Sequence, residues 1–377
     1  MKNQGIYVHI PFCVKKCNYC DFNSFCASET VQDIYTDALC NEIKSFGKIK
    51  KIDADSVFFG GGTPTLLKEE NLEKIISAIK ESINLMPDTE FTVECNPKTA
   101  NLKKLKTLFD LGVNRLSLGV QSLDDKILKT LGRAHDLKDF IECFAAARIA
   151  GFENISFDLM FALPDQTEKI WQTTLENAIK FEPKHISAYG LQLEEGTLFY
   201  ENQENYNFPD EDENRKMYEF LVEFLKGKGY NRYEISNFAL PGYESRHNLK
   251  YWDLTEYVGF GLGSSSFFEG VRYQNPEKME EYLEFADNFH SLWENSEKET
   301  ENSLISEYMF LGLRLEKGVN NLDFKEKFNK SFFEIFKREI DENVQKGLLI
   351  KENNRIYLSK KGFDLANSVM SDFLLED

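Results

Sequence analysis

Short runs rich in β-branched and aromatic residues alternate with longer amphipathic stretches over residues 1–229. "GIYVHI" precedes "TVQDIYTDALCNEIKSF", "DSVFF" precedes "EENLEKIISAIKESI", and "TEFTVEC" precedes "NLKKLKTLFDLG". "RLSLGV" leads into two helical stretches, "NISFDLMF" into "TEKIWQTTLENAIKF", and "HISAYGL" into "ENRKMYEFLVEFLKGKG". Short apolar runs bounded by turn residues read as strands, and apolar positions recurring every three or four residues read as helices. About six βα units in succession predict an α/β fold with a parallel sheet, curled into a partial, TIM-like (β/α)6 barrel.

The unusual residues lie just after these strands. A cysteine loop follows the first, "GGGTP" the second, and "ECNP" ends the third; "GVQS" ends the fourth, "DLMFALP" lies on the fifth and "LQLEEGT" on the sixth. In βα barrels the C-terminal ends of the strands form the active-site face, so these segments should converge on one cavity. Six units instead of eight leave a gap in the wall, which suits a large substrate or a covering domain. From Tyr230 the pattern changes to short strands and aromatic loops, which predicts a barrel-covering region over 230–293. The polar run "ENSEKETENS", 294–303, offers nothing to a core and reads as a linker. Helical patterns, a hairpin-like "GLLIKENNRIYLS" and a last helix then predict a small α+β, winged-helix-like domain over 304–377.

Length and composition agree with this division: 377 residues, 42% hydrophobic and 29% charged, are enough for one large core and a smaller one. The balance of 45 Lys and Arg against 63 Asp and Glu, a formal charge of -18, opposes binding to polyanions. The winged-helix candidate "FFEIFKREIDENVQKG" mixes both signs without a basic face, so nucleic acid is not expected as a partner. The N-terminus lacks the order of a signal peptide and no apolar run is long enough to span a membrane, which predicts a cytoplasmic protein.

Seven cysteines change the picture by their distribution. Cys26, Cys40, Cys95 and Cys143 are scattered, whereas Cys13, Cys17 and Cys20 form C-x-x-x-C-x-x-C. Structural zinc takes four ligands, usually from paired C-x-x-C units. His9 is a poor fourth ligand, since strand alternation points it with Tyr7 and Pro11. A [4Fe–4S] cube normally takes four cysteines, so three leave one iron open to an exchangeable ligand. "GGGTP" offers backbone groups without side-chain obstruction and lacks the lysine of a phosphate loop. Glu94 and Asp158 are carboxylates in apolar strands, where they call for polar partners such as a ribose or an ammonium group.

"CVKKCNYC", together with the glycine run and the six-unit barrel, resembles the signature of radical S-adenosylmethionine (SAM) proteins. The resemblance implies a [4Fe–4S] cluster on Cys13, Cys17 and Cys20 whose open iron is chelated by SAM. It also implies an electron donor that reduces the cluster, and SAM contacts from Tyr7, Tyr19, Gly61, Gly62, Thr63, Glu94, Gln121, Arg133 and Asp158. It covers almost the whole chain and narrows to the group that contains oxygen-independent coproporphyrinogen III oxidase and the haem chaperones. In the oxidase the cysteine motif continues with another cysteine, where this chain has Phe22, and a long N-terminal extension precedes the barrel. This chain begins six residues before Tyr7. "RHNLKYW" matches the H-N-x-x-Y-W motif of the chaperones, which implies haem held near His247, Tyr251 and Trp252. The implied function is haem binding and delivery to acceptor proteins such as membrane respiratory enzymes, with no catalytic residue assigned. The alternative is radical decarboxylation of coproporphyrinogen III to protoporphyrinogen IX.

Overall fold

The computed structural model describes residues 3–286, 296 and 298–376. Strands β1 (Gln4–Ile10), β2 (Asp53–Gly61), β3 (Asn84–Cys95), β4 (Arg115–Gln121), β5 (Asn154–Phe161) and β6 (His185–Gly190) pair in parallel in chain order. They continue into β7 (Asn231–Arg232), β8 (Asn237–Ala239), β9 (Tyr257–Phe260), β10 (Ser265–Phe268) and β11 (Val271–Gln274). The spatial order of this 11-stranded sheet is β11-β10-β9-β1-β2-β3-β4-β5-β6-β8-β7. The predicted parallel sheet is therefore present, and its linear order leaves it open, as a partial barrel requires. β9 adds a further parallel strand beside β1, while β8 joins β6 antiparallel.

Helices cover the outer face for the reason the periodicity implied. The helix Glu29–Ile49 starts where Ser28 Oγ accepts from Val31 N, and it buries Tyr35, Leu39, Ile43 and Phe46 against the sheet. Helices Glu69–Ser82, Leu102–Asp110, Leu137–Ala150, Glu168–Ala178 and Glu211–Gly227 follow the next strands in the same manner. Their buried apolar side chains join those of the strands in one large core.

The region after Gly229 is more regular than its composition implied. "RHNLKYW" is a helix, Arg246–Trp252, with Ser245 Oγ accepting from Asn248 N. The "GFGLG" turn is fixed from outside by the buried carboxylate of Glu42, which accepts from Gly261 N (2.9 Å), Asn275 Nδ2 (2.7 Å) and the Tyr282 hydroxyl (2.6 Å). Burial pushes the Glu42 carboxyl up to about 7, against the pull of those three donors.

In the predicted linker, 294, 295 and 297 lie outside the described residues, as do 287–293 of the covering region. Thr300 caps a helix, Glu301–Gly312, so the run ends in ordered structure. The C-terminal part adds three short helices, a final helical pair and an antiparallel sheet of β12 (Val319–Asn320), β13 (Leu349–Glu352) and β14 (Arg355–Leu358), in the order β12-β14-β13. Its core includes Leu254 and Phe267 from the covering region. A bridge between Glu234 and Leu315 and the Arg314 guanidinium, 4.6 Å from the Trp252 ring, bind the same two parts together.

Candidate cluster and cofactor site

The cysteine loop leaves β1 and is held by backbone bonds on both sides. Cys13 N donates to Phe25 O (3.0 Å), Phe25 N to Pro11 O (2.8 Å), and Asn18 N to Leu131 O (3.0 Å). His9 fastens the loop from below, with Nδ1 3.0 Å from the Tyr7 hydroxyl and Nε2 3.0 Å from Asn23 O. With both nitrogens engaged, His9 is a packed strand residue and no metal ligand. The three thiols are half-buried, and the neighbouring thiols add to the proton affinity of Cys13 and Cys20. Burial is the main cause of the rise at Cys13 and Cys20. Among the described residues no three His, Cys, Asp or Glu side chains converge on a single metal-ion position. Three thiols are one ligand short of a closed structural zinc site, and they fit a cluster in which each thiolate takes its own iron.

Arg133 ties the loop to the sheet. Its Nη1 lies 3.5 Å from Cys17 Sγ and 3.4 Å from the Tyr19 hydroxyl, and its Nη2 donates to Gly119 O at 2.7 Å. Its buried Nε has no hydrogen-bond partner, so the guanidinium retains a donor for a ligand. Tyr19 packs against Ile127, Leu131, Met160, Leu163 and Phe199. Gln121 ends β4 at φ 62, beside a register irregularity. A left-handed glutamine is a strained position of the sort found at binding sites.

Strand alternation sends one set of side chains to the concave face and the other into the helical layer. Ile6, Val8, Val57, Phe59, Val93, Leu116, Leu118 and Phe157 are wholly or nearly wholly buried. Tyr7, Phe58, Glu94, Ser117, Asp158 and Ser187 occupy the opposite face in matching register. Glu94 and Asp158, with no cationic hydrogen-bond partner, are both pushed up, Glu94 to about 8. Burial is the leading cause for each, and the Asp158 charge adds to it at Glu94. The Ser117 hydroxyl, 3.0 and 3.1 Å from the Asp158 oxygens, and Ser187 offset part of that burial. Arg115 stands at the base of this face, 2% exposed, with only a 3.5 Å contact to Thr92 Oγ1. The Arg115 charge, joined by Arg133 at Asp158, offsets only part of that burial, so the two carboxylates form an environment for a cationic ligand.

The glycine run works differently from an open cradle. The N–H groups of Gly61, Gly62 and Thr63 are engaged by the Glu94 carboxylate, Ile10 O and Phe12 O. A Cβ at Gly61, where φ is +104, would meet the His9 ring at 2.5 Å, and one at Gly62 would meet Phe12 O at 2.8 Å and Ile10 O at 2.9 Å. These glycines let β2 pack against the exit of β1, and the N–H groups of Gly61, Gly62 and Thr63 are taken up within the protein. Gly60 faces the concave side, where a Cβ would lie 3.2 Å from both Glu94 Oε2 and the Tyr7 ring. Sequence reasoning took Gly60 only as part of the glycine run and passed over Arg115, Ser117 and Ser187; the period of two in "RLSLGVQ" carried a signal for the β4 members.

His247 is elsewhere. It lies against Gly5 and Ser56, near the N-terminal ends of β1 and β2, with Nδ1 3.0 Å from Ser56 Oγ and Nε2 2.9 Å from the Tyr251 hydroxyl. Glu90 accepts from Arg246 N and His247 N and so caps this helix, whose Lys250 pairs with Asp55 at 2.6 Å. Burial, then Lys250 and Arg115, pushes the His247 imidazole down to about 3. The haem contact implied for His247 therefore has no free ring nitrogen to make it. The Trp252 ring lies against the Arg314 guanidinium, and its buried indole nitrogen has no hydrogen-bond partner.

An open βα sheet whose first loop carries three clustered thiols defines a class, and residues 7–178 match the model of the Radical SAM superfamily. Residues 300–365 match that of the HemN C-terminal domain. Heme chaperone HemW of Lactococcus lactis is 40% identical over 378 residues, covering 100% of this chain and 98% of that protein. Heme chaperone HemW of Bacillus subtilis is 38% identical, covering 99% and 100%. The solved coproporphyrinogen III oxidase (HemN) from Escherichia coli, a radical SAM enzyme, superposes with a TM-score of 0.86 at 22% identity over 99% of this chain and 90% of that one, a likeness of fold. The chain belongs to the HemW family of the Radical SAM superfamily. Membership of the superfamily implies a [4Fe–4S] cluster and SAM. No described helix is long and apolar enough to cross a membrane.

Proposed function

We propose that this protein is a haem chaperone that holds a [4Fe–4S] cluster on Cys13, Cys17 and Cys20 and hands haem to acceptor proteins such as respiratory enzymes. SAM would lie over the polar concave face, with its cationic end toward Glu94 and Asp158 and its remaining contacts from Tyr7, Tyr19, Gly61, Gly62, Thr63, Gln121 and Arg133. When bound and reduced by an electron donor, the cluster supplies the electron for reductive chemistry on SAM. The chain's own part is positional. Arg133 holds Cys17 and Tyr19 to β4, His9 fixes the loop to β1, and Ser117 orients Asp158.

The observation that carries the reading is Phe22, 60% exposed on the cluster loop, at the position where the oxidase's motif supplies its further cysteine. A phenyl ring supplies no thiol, which weighs against decarboxylation, and full-length relatives at 40% and 38% identity carry the name of haem chaperones. The haem contact belongs on a surface other than His247. Two assays on anaerobically reconstituted protein separate the readings. A haem titration should give a saturable Soret change that His247→Ala leaves in place. Incubation with coproporphyrinogen III, SAM and a low-potential reductant should give no protoporphyrinogen. Formation of that product, or a haem spectrum without saturation, overturns the proposal.

A further inference from the structure

Two buried thiols take no part in the cofactor site and stand against each other. Cys95 closes β3, Cys143 lies on the helix Leu137–Ala150, their sulfurs are 3.9 Å apart, and each residue is 2% exposed. Lys104, itself largely buried, sets its ammonium group beside them, donating to Thr65 O at 2.7 Å and Thr99 O at 3.2 Å. The Thr65 hydroxyl bonds that of Thr99 at 2.7 Å and also reaches Cys95. These bonds connect the end of β3 to the turn Pro64–Leu66, directly after the glycine run.

We infer that Cys95 and Cys143 are a modification site, a thiol pair that a peroxide oxidises to a disulfide, and that closing it displaces the cofactor-facing end of β3. The second half rests on the proposed role of Glu94, the residue before Cys95. The chemistry balances without a metal. A Cys95 thiolate attacks one peroxide oxygen, the O–O bond breaks, and hydroxide leaves and takes up the proton that the thiol gave, so that a sulfenic acid and water result. Cys143 sulfur then attacks the sulfenic sulfur; the S–S bond forms, the S–O bond breaks, and a second water carries away the remaining proton. Two thiols are oxidised and one peroxide is reduced to two waters.

The sulfurs must approach by nearly 2 Å to reach a disulfide length of about 2.0 Å. Cys143 sits within a helix packed into the core, so the strand end is the part free to give. That draws Cys95 from Thr65 and carries Glu94 along. The hydrogen bond shared with Cys143, and then burial, keep the Cys95 thiol protonated well above the ordinary range, while Lys104 opposes this. The pair therefore reacts under sustained oxidant, and slowly.

The test uses the anaerobic holoprotein and two oxidants, hydrogen peroxide and diamide, an azo compound that takes the two hydrogens without adding oxygen. After alkylation, trypsin places Cys95 and Cys143 on separate peptides, 81–98 and 139–148. Mass spectrometry should find them joined after either oxidant, separated by dithiothreitol, and never joined in Cys143→Ala or Cys95→Ala. Exposed Cys26 reports that the oxidant has acted. SAM affinity, read by equilibrium dialysis on diamide-treated protein that retains its iron, should weaken roughly tenfold or more, as ångström-scale displacement of a binding group does. It should be unchanged in treated Cys143→Ala. Absence of joined peptides under oxidant sustained well beyond the complete reaction of Cys26 overturns the site. Joined peptides with undiminished SAM binding overturn the displacement. Failure of the reduced protein to bind SAM counts against the cofactor reading alone, since the joined peptides are still read.

Discussion

Gly62→Ala separates a glycine needed for packing from one needed to clear space for a ligand. φ at Gly62 lies outside the left-handed region, so alanine meets no backbone strain there and the clash is the whole effect. The new Cβ would stand 2.8 Å from Phe12 O, 2.9 Å from Ile10 O and 3.0 Å from Phe12 N, all main-chain atoms at the root of the cysteine loop. Overpacking of this kind costs about 1–3 kcal/mol. Parting the chains also weakens the bonds from Gly62 N to Ile10 O and from Thr63 N to Phe12 O, both 2.8 Å. At about 0.5–1.5 kcal/mol for each hydrogen bond, the total is roughly 2–6 kcal/mol. Thermal unfolding should show the loss, and iron and acid-labile sulfide after anaerobic reconstitution should fall because Cys13 is displaced. Gly60→Ala is the matched control: its Cβ meets the side chains of Phe58, Glu94 and Tyr7, so it should keep the cluster and weaken SAM binding. A Gly62→Ala protein with wild-type melting and full iron would refute the packing argument.

The remaining predictions concern buried titratable groups. Glu94, held near 8 without a cation, should lose its proton when SAM binds, so wild-type affinity should rise with pH by up to about tenfold per pH unit below that value. Dialysis across the range should show the slope reduced in Glu94→Gln, and equal slopes would exclude contact with Glu94. His247→Ala removes both ring hydrogen bonds and leaves a cavity, for a loss of roughly 2–5 kcal/mol in chemical denaturation. Unchanged stability would mean that His247 is not the packed residue seen here. Glu42 binds its proton more tightly folded (about 7) than unfolded (about 4.3), so its contribution is full below the unfolded value and is lost as pH rises to 7 and above. That contribution is roughly 4 kcal/mol at most, and Glu42→Gln should flatten this part of the stability profile; denaturation curves with the same pH slope for both proteins would count against it.

The alternation of strand and helix periods was legible in the chain because periods of two and 3.6 write burial directly into sequence. The placing of Cys13, Gly61, Glu94, Gln121 and Asp158 at or near strand ends followed from it. Phe22 was legible for another reason, since a residue type that lacks a thiol settles a question of ligand count wherever it lies. By contrast, "RHNLKYW" showed a histidine and two aromatic rings but not which end of the sheet they would occupy. That depends on Glu90, Asp55 and Ser56, more than 150 residues away, whose hydrogen bonds and charges dock the helix at the N-terminal ends of the strands. The tertiary structure alone decided that the N–H groups of the glycine run are engaged by β1 and Glu94, that Arg133 grips the cysteine loop, and that Cys95 meets Cys143. Local periodicity determines which side chains share a face. What a polar group on that face hydrogen-bonds to is a long-range matter, and desolvation of the partners decides it only once the chain has closed.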